Sequence, residues 1–100
     1  MIRADVIYLI EENPEAHGIF EAHQETQRMV YAEIRSVTMS ETYRAMENNI
    51  RPEYVFVLAD YAEYNGEKIA IWNGKRYAIV RTYVANEKIE LTVEGATVDA

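Results

Sequence analysis

The side chains able to move protons or hold a metal near neutral pH are few: His17 and His23, set among Glu15, Glu21 and Glu25. Two imidazoles beside carboxylates could form a weak metal site. Their spacing matches no HExxH or comparable frame, so two solvated loop histidines are the plainer reading, and no metal or cofactor is expected. The sequence has no cysteine, which removes disulfides, thiolate zinc sites and a cysteine nucleophile. Carboxylate pairs such as Glu11/Glu12 and Asp60/Glu63 are candidates for acid–base hydrolysis but fall in expected loops or strand ends, where solvated charge explains them. Gly18, Gly66, Gly74 and Gly95 are too scattered for a phosphate-cradling loop. An enzyme is not expected.

The elements that would position any site belong to one domain. The chain has 100 residues, 49% apolar and 27% charged, enough for one core. A formal charge of −7 opposes attraction to phosphates, which disfavours a DNA-coating role. No run approaches the roughly 18 apolar residues of a membrane span, and the N-terminal run ending at Ile10 is too short for a signal peptide, so action in the cytoplasm or in an assembly built there is expected. Glu11, Glu12, Glu15, Glu21 and Glu25 lie in a stretch without Lys or Arg, an acidic patch on a loop or hairpin tip that is merely solvated, aimed at a basic partner or placed to repel DNA, with solvation the plainer reading. Eight tyrosines are compatible with an interaction module, though most are expected to pack the ring inside with the hydroxyl reaching water.

The pattern predicts an all-β domain over residues 1–94, with 95–100 as a loose tail. A strand over residues 4–10 is broken by the loop cluster that holds Asn13-Pro14, and residues 26–37 fit either a strand or a short helix, with the strand favoured. Thr38-Met39-Ser40-Glu41 has the form of a capping box, so a short helix is expected to begin there and to stop at Asn48-Asn49, before Pro52. Tyr54-Val55-Phe56-Val57-Leu58 reads as a buried strand. Asn65-Gly66 and Asn73-Gly74 each signal a type I′ hairpin, the second directly between Lys68-Ile69-Ala70-Ile71-Trp72 and Lys75-Arg76-Tyr77-Ala78-Ile79-Val80. Residues 88–94 alternate strictly. About six strands and one short inserted helix favour a small β-barrel, with Val6, Tyr8, Ile34, Val55, Val57, Ile69, Ile71, Ile79, Leu91 and Val93 pointing inward.

These segments, in this order, resemble the head closure or head–tail connector proteins of tailed bacteriophages and prophages. The carriers are Ser36-Val37-Thr38-Met39-Ser40-Glu41-Thr42-Tyr43, Arg51-Pro52-Glu53, Tyr64-Asn65-Gly66-Glu67, Trp72-Asn73-Gly74-Lys75-Arg76-Tyr77, Ile79-Val80-Arg81-Thr82-Tyr83 and Ile89-Glu90-Leu91. Related chains often place glycine just before the basic-Pro-Glu step, where this one has Asn49-Ile50, and Asn is the next best residue for a left-handed stop.

The resemblance implies a small barrel that assembles as a homo-oligomeric ring in the virion neck. The ring would close the portal channel after packaging and offer a surface for tail attachment. Implied partners are the portal with its adaptor, the tail-completion protein and DNA passing without sequence-specific contact. In that family a loop entering the channel acts as the plug. The insertion over residues 38–53 best corresponds, with Glu41, Tyr43, Arg44, Met46, Asn48 and Asn49 facing the channel or a neighbour. The alternative is a tail-completion or other minor capsid or tail assembly protein of related small β fold.

Overall fold

The computed structural model describes residues 3–12, 25–40, 46–47 and 49–95. Six strands, β1 (Arg3–Glu12), β2 (Glu25–Ser36), β3 (Tyr54–Leu58), β4 (Ile69–Trp72), β5 (Lys75–Ala85) and β6 (Lys88–Gly95), close into one barrel in the order β1-β2-β3-β6-β5-β4. Every pairing is antiparallel. The all-β barrel expected from the sequence is therefore the fold. Closure removes most free edges and encloses a single interior.

The turns explain the register. Asn73 and Gly74 both have positive φ, 55° and 76°, and pair Trp72 with Lys75, the type I′ geometry that matches strand twist. A second turn of this kind, Asn86-Glu87 with φ 52° and 69°, joins β5 to β6 without a glycine and was not foreseen. Asn65-Gly66 corrects the expectation of a hairpin. Gly66 alone has positive φ, as at the third position of a type II turn, and β4 pairs with β1 and β5 while β3 pairs with β2 and β6. Residues 59–68 therefore cross the barrel end. They carry a 3-10 turn, Tyr61–Glu63, whose first N–H groups are capped by Asp60: the Ala62 N–H donates to its Oδ1 at 2.9 Å. The Asp60/Glu63 pair thus includes a cap, a structural use of the carboxylate.

The inner wall is Ile7 and Leu9 of β1, Val30 and Ala32 of β2, Phe56 and Leu58 of β3, Ala70 of β4, Tyr77 of β5 and Ile89, Leu91 and Val93 of β6, with Ile34, Tyr54, Trp72 and Ile79 packed against it. Ile34, Ile79, Leu91 and Val93 are inward as expected. Val6, Tyr8, Val57, Ile69 and Ile71 have the opposite parity, and Val55, though buried, lies outside the inner cluster. A shift of one residue exchanges the faces of a strand, and runs apolar on both faces do not reveal which is inner. At one end of the interior Tyr54, Phe56, Trp72 and Tyr77 meet edge to face, with Tyr54 and Trp72 centroids 5.0 Å apart. The Trp72 Nε1–H donates to Asp5 Oδ2 at 3.0 Å, which satisfies the indole inside an apolar wall.

β1, β3 and β5 run one way and β2, β4 and β6 the other, so the connections separate by end. The end of the β1–β2 ladder at Glu12 and Glu25, the 59–68 crossing and the Asn86-Glu87 turn share one end. The 37–53 insertion and the Asn73-Gly74 turn share the other.

Candidate interaction surfaces

At the insertion end, helical backbone is present at Met39, Ser40 and Met46. Asn49 has φ 58° and its N–H donates to the Met46 carbonyl at 3.1 Å, the left-handed stop expected there. Met39 and Met46 are exposed, and Asn49 is exposed beside Met46. Of the expected plug residues, Met46 and Asn49 thus sit on the surface at this end, while Glu41, Tyr43, Arg44 and Asn48 lie outside the described residues. The insertion is tied back to the barrel at its C-terminal side. The Arg51 N–H donates to Glu94 Oε2 at 3.0 Å, the Glu53 N–H to the Val93 carbonyl at 2.8 Å, and Lys75 Nζ approaches Glu53 Oε2 at 3.9 Å. The insertion thus exposes two flexible thioethers, Met39 and Met46.

The acidic stretch requires a correction. Glu11, Glu12 and Glu25 are not loop residues: Glu11 pairs with Thr26 and Glu12 with Glu25 in the β1–β2 ladder, which extends beyond the expected strand end at Ile10. Glu15 and Glu21 lie outside the described residues, as do His17 and His23. Among the described residues no group of three His, Asp or Glu side chains is arranged to hold a metal. No helix among them is long and apolar enough to cross a membrane.

Near the acidic end Glu67 is 4% exposed. Its Oε2 accepts from Arg28 Nη2 at 2.5 Å and its Oε1 from the Asn65 N–H at 2.6 Å, while the Tyr64 hydroxyl donates to the Glu67 carbonyl at 2.6 Å. Burial, with a smaller contribution from the Glu67 charge, raises the Tyr64 pKa above its ordinary 10.0. Arg28 shares the inward parity of Val30, so the pair closes the barrel mouth with a satisfied ion pair. Composition alone did not expose this pair, because the two partners are distant in the chain and neither belongs to a recognisable motif. A cavity of about 540 Å³ adjoins it, lined by Ile10, Glu11, Glu67 and Ile69 among others.

The barrel wall also carries apolar side chains outward. Tyr8 stands opposite Met29 and Val6 opposite Tyr31, with Tyr8, Met29 and Tyr31 exposed. Tyr61 and Tyr83 are exposed as well, whereas Tyr54, Tyr64 and Tyr77 pack on the core. Among the described residues tyrosine therefore divides between interior and surface more evenly than its strand propensity implies. No family model matches the chain, and no curated protein matches it.

Proposed function

We propose that the chain is a structural subunit of the neck of a tailed bacteriophage, forming part of a ring that closes the portal channel after DNA packaging and receives the tail. The carrying observation is the separation of surfaces on a closed barrel. The insertion with exposed Met39 and Met46 occupies one end, and the Glu11, Glu12 and Glu25 hairpin the other. A ring of aligned barrels would present one end to the head and the other to the tail, as a connector requires. The segments that resemble head closure proteins support the same reading. The Met46 and Asn49 segment would narrow the channel by steric contact with its neighbours. The net charge of −7 suits a lumen that DNA must traverse without sticking.

Partners on this reading are the portal with its adaptor and the tail-completion protein, and the work of the subunit is mechanical. The test is localisation in particles produced by a host carrying the gene, with a peptide tag on the chain and immunogold imaging. Label at the head–tail junction is expected. Label over the capsid shell or along the tail would contradict the connector assignment.

A further inference from the structure

Two strand edges of the barrel are left open. β3 pairs with β2 only at residues 33–36, so among the described residues no strand pairs with the other edge of β2 over 26–32. β4 pairs with β5 only at residues 75–78, and the last bond on that side is the Ile79 N–H to the Lys68 carbonyl at 2.8 Å. A bulge between Ile79 and Arg81 then turns β5 away from β4, and residues 81–85 continue against β6 alone. Their side chains are solvated on both faces: Tyr83 is 61% exposed and Val84 52%. Unpaired backbone of this kind is a template for another strand.

Their placement selects the occupant. In the barrel order β3 and β6 lie between β2 and β5 one way, and β1 and β4 the other, so the two edges are on opposite walls. One faces the β3 side and the other the β4 side, and β2 and β5 run in opposite directions. We infer that β5 of one copy pairs antiparallel with β2 of the next, head to tail, as the seam between neighbouring subunits. This pairing alone, among contacts between identical chains, covers both edges with aligned barrels. A two-fold β5–β5 contact leaves β2 open. Aligned barrels put every insertion on one face and every acidic hairpin on the other.

The side chains fit the same seam. Beside the β2 edge a cavity of about 220 Å³ is lined by Tyr31, Ala32, Val57 and Ala59, with Glu33 and Lys88 as its charged residues. The incoming segment offers Tyr83 and Val84 as apolar groups and Arg81 as its charge. The inference rests on the ring reading and names its interface.

The absence of cysteine allows a direct test. Tyr83→Cys is mixed in turn with Gln27→Cys, Met29→Cys and Tyr31→Cys, which sample the outward positions of β2 whatever the register. All four side chains are exposed, so the barrel should tolerate each change, and circular dichroism checks that it does. At about 1 mM, where a contact with a Kd of 1 mM is roughly 40% populated, mild oxidation should give a mixed disulfide with at least one partner and none with Tyr83→Cys alone. Self-linked Tyr83→Cys would overturn the inference in favour of a two-fold contact. No cross-link in any mixture would overturn it as well. If sedimentation then shows a closed oligomer, the seam is elsewhere and the ring reading stands.

Discussion

Glu67 and Arg28 bear the largest single-residue consequence in the barrel. The carboxylate side chain is 1% exposed and the guanidinium 36%, so removing Arg28 leaves a nearly buried charge with the Asn65 N–H as its remaining donor. Arg28→Met should lower the unfolding free energy by about 1–3 kcal/mol, read as a lower urea midpoint with an unchanged slope. The double variant Arg28→Met with Glu67→Leu should recover part of that loss, because no orphaned charge remains. If the single variant is as stable as the wild type, the pair does not close the barrel mouth as described. Trp72 follows the same logic with an apolar body. Its indole N–H reaches Asp5 while its rings join Tyr54, Phe56 and Tyr77.

At the scale of elements the turns and the strand parity carry the argument. Glu87 holds φ 69° without being glycine, a conformation that costs an L side chain roughly 1–2 kcal/mol. Glu87→Gly should therefore raise stability by about 0.5–1 kcal/mol after the entropy of glycine is offset, measured as a higher melting temperature. A lower melting temperature would show that the side chain contributes more than the turn strain costs.

The same elements show what was legible in the sequence. Asn73-Gly74 fixed the β4–β5 hairpin, and the strict alternation of residues 88–94 identified β6 and its inward Leu91 and Val93. The inward choice of Ile69 and Ile71 overlooked their partners. A two-residue turn pairs Ile71 with Arg76 and Ala70 with Tyr77, so an inward Ile71 would have carried Arg76 inward with it. β1 and β3 gave no such cue because both of their faces are apolar. The bulge at Val80 was also hidden, since it depends on pairing with β6 rather than on local residues. Of the candidate surfaces, Asn49 and the acidic hairpin were readable from residue type, whereas the two open edges exist only once six strands of unequal length close around one core.

The molecule extends 46 Å along its longest axis and 22 Å along its shortest. On the proposed reading, wall pairing through β2 and β5 and end contacts through the insertion and the acidic hairpin would be independent functions of one fold. A domain of this size buries a single modest core.

The most direct measurement is electron microscopy, with a DNA-content assay, of particles made by a phage from which this gene is deleted. The account predicts heads that package and then lose their DNA, beside free tails. Heads that stay full but tailless would restrict the role to tail joining, and normal infectious particles would contradict the connector reading.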